Sequence, residues 1–571
     1  MPSTQNWLAD TQATVAEGMN RGREPELISE QQAHLLMNVS TRGGRVRSRP
    51  RIVKRLTLPA GLMQGACVFK ALSRIVVSLG GRIHEIDPQD WAITERTGSE
   101  VNSPKQPRVW FGETINSLVI QDGQSRPFIY DGDQFRRARE NEVPVGRAMA
   151  YGNGRLAVVV NAGCDVRLGD IRQTEHQSEL KFTETYSLNW GGDFSYASPV
   201  RALAVLPVID TGSGQGALIV GCEDSVHSLK TQITQRDLWA EVGFGNVVLP
   251  TRGIVGANAV VAINQDLYFR STDGLRSLRT STADYNSPGL TPLSVEVRHR
   301  FDYDSSFLLE DAGVVCFDNR ILCTHSPFIY GPRSLAQGII SLNLDSLSGR
   351  GDKSPPCFDG EWDGVIIAQL FVGKIRGVER CFVLGRDLAG VNGLWEILRE
   401  TAEQKGDEPT QVLETRMLFG DSPGTLKNIR RCDLQFSDIR GGLEVRVYFR
   451  PEKHPYWIRW DEFTVDAPGT SPWGRVHPQR RSLLSTRSPI EVPDPGTARL
   501  VSCATGFQVR VEWDGFARLD YLQLFQERVA MTPYADNPSA GQSRDMATVP
   551  TWAMSPAFWH THPVGPLAGI S

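Results

Sequence analysis

Between about residue 52 and residue 400 the chain repeats one local pattern seven times. Each repeat is a short apolar run, a turn of Gly, Asn or Asp, and a second apolar run. The clusters are CVFKALSRIVVSLGGRIHEIDP (67–88), VWFGETINSLVIQDGQSRPFIYDG (109–132) and AMAYGNGRLAVVVNAGCDVRLGDI, then the span 200–232, GANAVVAINQDLYFRSTDGLRSL (256–278), AGVVCFDNRILCTHSP with GIISLNLDS, and GVIIAQLFVGKIRGVERCFVLGRD with GLWEIL. Their spacing, about 40–55 residues, is that of one four-stranded propeller blade. Gly152-Asn153-Gly154 shows why the runs reverse: Gly and Asn accept positive φ without a Cβ clash. Leu156 to Val160 is apolar and mostly β-branched, so both faces of that strand are expected to be buried. The fold class expected is all-β, an irregular β-propeller followed by a β-sandwich-like domain, with extended N- and C-terminal arms.

Composition agrees with many short elements. The 571 residues include 54 Gly and 34 Pro, and apolar residues make up 40%. The net charge of −4 supplies no global attraction to nucleic acid, so any such contact has to be local. Nine cysteines are scattered without a Cys-x-x-Cys, which reads as buried free thiols in a reducing compartment. The first 20 residues hold Asp10 and Glu17 and no signal-peptide core, and no run of 18 apolar residues suggests a membrane span.

Four regions are expected: an N-terminal arm (1–45), the propeller (46–405), a β-sandwich or propeller-closing sheet (406–530) and an extended tail (531–571). In the third, Leu443, Val445, Val447 and Phe449 alternate with Glu444, Arg446 and Tyr448, and a turn at Arg440-Gly441-Gly442 offers Leu434 and Phe436 as a facing strand. Trp552, Phe558 and Trp559 give the tail an aromatic content suited to docking, as a strap between subunits.

The search for chemistry returns little. His-Glu-x-x-His, Walker A and Gly-x-Ser-x-Gly are absent. Gly212-Ser213-Gly214-Gln215-Gly216 is only superficially like a dinucleotide loop, His560-Thr561-His562 lacks a third ligand, and Asp302-Tyr303-Asp304 lacks the rest of a calcium loop. No catalytic residue, metal or cofactor is expected. Glu361 and Asp363 beside Trp362 are the best local candidates for a sugar subsite.

One charge cluster stands out: Arg42, Arg45, Arg47, Arg49, Arg51, Lys54 and Arg55, with no acid among them. Arg45, Arg47, Arg49 and Arg51 alternate with Val46, Ser48, Pro50 and Ile52, so an extended strand puts four guanidiniums on one face. Such a ladder suits carboxylates or phosphates. The expectation is docking onto acidic groups of a neighbouring subunit, with DNA contact second, because a channel wall that clamps phosphate would hinder sliding.

Several segments also carry a resemblance. "IQDG…PFIYDG…VPVGRAMAYGNGRLAV…GDI", "NQDLYFRSTDGLRSLRTS…LTPLSVEV" (264–297), "VVCFDNRILCTHSP" (314–327) and "LETRMLFGDSPGTLKNIRRCDLQFSDIRGGLEVRVYFRPEKHPYWIRW" (413–460) resemble a class of tailed-bacteriophage virion proteins, the tail-nozzle or packaged-DNA-stabilisation (tail hub) class. The likeness runs in order from about 18 to 460. It implies a homo-oligomeric ring, usually sixfold, in the virion tail, made in the host bacterial cytoplasm. Such a ring extends the portal–adaptor channel, retains packaged DNA and lets it pass on ejection. Its implied partners are further copies of itself, adaptor or portal-proximal proteins, and tail fibre or plug proteins, with passing contact to genomic DNA. The alternative function is a tail-spike-like or receptor-binding propeller acting on host surface carbohydrate.

Overall fold

The computed structural model describes residues 8–171, 178–183, 193–206, 216–231, 245–283, 291–303, 305–345, 356–400, 409–465, 479–484 and 503–528. Strand dominates; among the described residues α-helix is confined to Leu278–Ala283 and Ser306–Leu309.

Each sequence cluster becomes one antiparallel meander. Blades one to four have four strands each (63–95, 110–137, 149–195 and 200–249), and blade five has three (260–277). Blade six runs from Val314–Phe317 to Cys357–Trp362. Blade seven comprises Ile366–Ile375, Val378–Arg386 and Asn392–Ile397, and its fourth strand is Ile52–Thr57 from the start of the chain. Tight turns follow from local chemistry. Asn153-Gly154, Asp318-Asn319 and Arg376-Gly377 hold positive φ at both turn positions between directly paired residues, the two-residue turn whose twist matches antiparallel strands.

The inner strands close a ring. Met63–Phe69, Trp110–Glu113, Met149–Gly152, Val200–Val205, Val260–Ile263, Val314–Phe317 and Ile366–Ile375 each lie against the next, and the last returns to the first. At that return a Cβ on Gly373 would fall 2.3 Å from Val68 Cβ, so only glycine lets blade seven approach blade one this closely. Most seams are filled by their own apolar cluster: Phe69, Val76 and Ile120 between blades one and two, Val159, Val166 and Val220 between three and four, and Ile339, Trp362 and Val383 between six and seven.

Beyond the propeller, Lys427–Pro451 and Phe507–Arg528 pair antiparallel along nearly their whole length. The expected hairpin turn at Arg440-Gly441-Gly442 is a bend inside one strand. Both halves of Lys427–Pro451 pair with the same partner, and register shifts between 435 and 444 fold the ribbon over itself. Positive φ at Asp438, Gly441 and Gly515 absorbs the bend. The two halves enclose one core of Leu434, Phe436, Val445, Val447, Val511, Trp513 and Leu522, the expected sandwich-like body. That core runs on into Val314, Ile321 and Ile340 of blade six.

The N-terminal stretch is threaded into this body. Leu8–Gln12 pairs with Phe507–Arg528, Leu35–Met37 pairs with Gln411–Glu414 and meets Glu361, and Val46–Ser48 touches Arg518 and Leu519. The propeller's first strand starts at Ile52, and the described chain through Arg528 belongs to one compact unit.

Candidate functional site

The basic segment lies where the N-terminal stretch meets blade six. Arg42 makes ion pairs with Asp318 (3.0 Å), Asp345 (2.8 Å) and Glu400 (3.4 Å). Arg320, almost wholly buried, binds Asp359 at 2.7 Å, Asp318 at 3.0 Å, the Ser40 hydroxyl at 2.7 Å and Glu400. Burial alone would disfavour the Arg320 charge; Asp359 and Glu400 outweigh it and hold the guanidinium firmly protonated. Arg47 reaches Glu400 at 3.4 Å, and Arg45 donates to the carbonyls of Ala13 and Asp520.

The ladder therefore does not stand open on one face. Val46–Ser48 is only a three-residue strand, and the Arg49 amide turns in to the Asn38 carbonyl. Pro50 has no amide hydrogen with which to continue the pairing. Arg49 is consequently buried, donating to Asn38 Oδ1 (2.9 Å), the Pro50 carbonyl (3.1 Å) and the Asp363 carbonyl (2.9 Å). The half-buried Arg51 accepts Leu398 N–H at its carbonyl, 2.9 Å away. Lys54 pairs with Asp387 (3.0 Å), and Arg55 with Glu396 (2.8 Å) over the Trp91 ring, which Arg380 also faces. The six of these cations with side-chain contacts described here spend them on this chain's own carboxylates, carbonyls and rings.

Glu361 and Asp363 have structural surroundings too. Glu361 accepts from His299 Nε2 at 3.0 Å and from both Nε (3.1 Å) and Nη2 (2.8 Å) of Arg300. Burial would raise its pKa, but these donors overcome burial and bring it down to about 2. A carboxyl held so firmly ionised is no proton donor near neutrality. Asp363 accepts from Asn38 Nδ2 at 2.7 Å. Trp362, the expected sugar platform, is buried in the seam between blades six and seven and donates Nε1–H to the Val39 carbonyl, so its face is not offered to solvent.

The propeller axis holds a cavity of about 270 Å³ lined by residues of six blades and by Ala257 and Asn258, which lead into blade five. At this cavity lies a group invisible in the sequence. Asp311 receives Nε and Nη2 of Arg108 (2.8 Å each), Nη2 of Arg333 (2.9 Å), and the Ser334 amide and hydroxyl (3.0 and 3.1 Å). Burial would raise the Asp311 pKa; Arg333 and Arg108 lower it instead. Glu310 pairs with Arg108 (3.1 Å) and Arg201 (3.2 Å). Arg333 also donates to the carbonyls of Met63 and Ala368. One carboxylate thus ties blades one, two, six and seven together. The available signal was a charge inside an apolar strand pattern, as at Arg320 and Arg333; nothing in the sequence said which acid each would meet.

Among the described residues no group of His, Cys, Asp or Glu has the composition of a metal site, and no helix is long and apolar enough to cross a membrane. All nine cysteines are free; five are buried and Cys164 is exposed. Trp552, Phe558, Trp559, His560, His562, Gly212, Gly214 and Asp304 lie outside the described residues.

No family model and no curated protein matches the chain. Among solved structures it is similar to a chain of the mitotic checkpoint complex (11% identity, 62% of this chain and 92% of that one, TM-score 0.37). It is also similar to BBS1N from its complex with ARL6DN (10%, 62% and 100%, TM-score 0.36). A third is a β-propeller domain of Myceliophteria thermophila (10%, 61% and 100%, TM-score 0.33). Likeness of this degree concerns fold alone.

Proposed function

We propose that the chain is a structural subunit of a tailed-phage virion, a nozzle or hub ring that extends the portal–adaptor channel, retains packaged DNA and lets it pass on ejection. The observation carrying this reading is the ordered resemblance from about 18 to 460, which crosses both the propeller and the bent ribbon. The use of charge supports it: Glu361, Asp311, Asp359 and Arg320 fix one part of the molecule to another, as a rigid building block requires. The partners proposed are further copies of the chain in a closed head-to-tail ring, an adaptor above, and fibre or plug proteins below.

The test is the native mass of the purified protein, together with negative-stain images of it and of DNA-filled particles. A ring, usually sixfold, that cosediments with the particles is expected, and particles assembled without the chain should lose DNA. A monodisperse monomer absent from particles, or one that releases reducing ends from host polysaccharide, overturns the reading.

A further inference from the structure

Buried carboxylates here usually meet a cation, as Asp311, Asp359, Glu361 and Glu396 do. Glu296 does not. It sits on the turn Val295–Arg300 that follows blade five, under residues 17–33 of the N-terminal stretch. Its Oε1 accepts from Gln32 Nε2 at 2.9 Å, and its Oε2 is buried with no hydrogen-bond partner. Gln32 is occupied in turn by Asn20 Nδ2 at 3.0 Å. The backbones are in close contact: the Arg21 amide donates to the Glu296 carbonyl at 2.8 Å, and a Cβ on Gly22 would fall 2.4 Å from the Val295 carbonyl oxygen.

The charged groups acting on Glu296 from the facing segment are Glu17, which opposes ionisation, and Arg23, which favours it. Glu17 is held in place by the Ser29 hydroxyl at 2.6 Å. On its own turn, His299 and Arg300 are committed to Glu361, and Arg298 is exposed. The Glu296 carboxylate is thus offered one neutral amide, a nearby like charge in Glu17, and an opposite charge in Arg23 that acts less strongly than Glu17.

We propose that Glu296 is a proton-operated catch: protonated, it holds residues 17–33 on the turn after blade five, and on ionising it lets them go. Burial first, and Glu17 in addition, raise its pKa to about 7, so the catch operates around neutrality. The sign follows from linkage. A carboxyl whose folded pKa lies above its ordinary 4.5 favours the docked state at low pH and loses that advantage as pH rises from 4.5 to about 7. This inference does not rest on the virion reading.

The experiment is hydrogen–deuterium exchange of the full chain from pH 5.5 to 8.5, corrected for intrinsic exchange, with blade-two peptides as internal reference. Peptides covering 17–33 should open roughly thirtyfold more at the upper end. Glu296→Gln, neutral at every pH, should remain protected with a flat profile. Glu17→Gln should move the wild-type midpoint to lower pH, and it decides the matter if Glu296→Gln folds poorly. Identical profiles for wild type and Glu296→Gln, or no midpoint shift in Glu17→Gln, overturn the proposal.

Discussion

The seams between blades and the seam between the N-terminal stretch and blade six differ in one respect. Both bury apolar side chains, among them Val39 and Val46 against Ile321 and Phe358 at the second, but only the second adds a dense buried ion network to them. The flanks of the blade seams are apolar, exemplified by Ile339, Trp362 and Val383, with charge gathered at the axis around Asp311, whereas Arg42, Arg47 and Arg320 meet Asp318, Asp359 and Glu400 along the other seam. Apolar contact is non-directional and degrades gradually when a methylene is lost. A buried ion network is brittle, because removing one member strands the others without water. The contrast teaches where this chain tolerates change and where it specifies one arrangement.

The sharpest way to break that contrast is at Asp311. Asp311→Ala leaves the Arg108 and Arg333 guanidiniums facing each other without their shared anion, and should cost about 3–5 kcal/mol in denaturant unfolding. A loss under about 1 kcal/mol would show that the collar is ornamental. Next comes acid. Glu361 has a folded pKa of about 2 against an ordinary 4.5, so its contribution of about 3 kcal/mol is present at neutral pH and lost as pH falls from 4.5 toward 2. In Glu361→Gln that part of the acid slope should vanish. Glu296 contributes with opposite sign between pH 4.5 and about 7, so the two variants should tilt the stability profile in opposite directions.

In an apolar seam the effect should shrink. Ile339→Val, fully buried between blades six and seven, should cost about 0.5–1.5 kcal/mol. Smallest of all is Lys54→Ala: its pair with Asp387 is solvated, and the melting temperature should not move measurably.

Much of the propeller was legible because its information is local. A turn such as Asn153-Gly154 dictates its hairpin, and RLAVVV announces a strand covered on both faces. The bent ribbon was legible only in part. Alternation marked Leu443 to Phe449, but whether Gly441 and Gly442 reverse or merely bend the chain is decided by Phe507–Arg528, more than 60 residues away. The basic segment failed for the same reason. Alternation says which side chains share a face in an ideal strand; what stands opposite, and that Arg49 turns inward, depends on Asn38, Asp363 and Glu400.

The closing strand sets a timetable for synthesis. Ile52–Thr57 emerges from the ribosome early but completes blade seven only with Asn392–Ile397, about 340 residues later. At about 5–20 residues per second that is roughly 20–70 s during which an edge strand has no mate. Leu8–Gln12 waits longer still, for Phe507–Arg528. A nascent chain of this kind stays open until almost its last described strand is made, so the cell has to shelter its beginning until its end arrives.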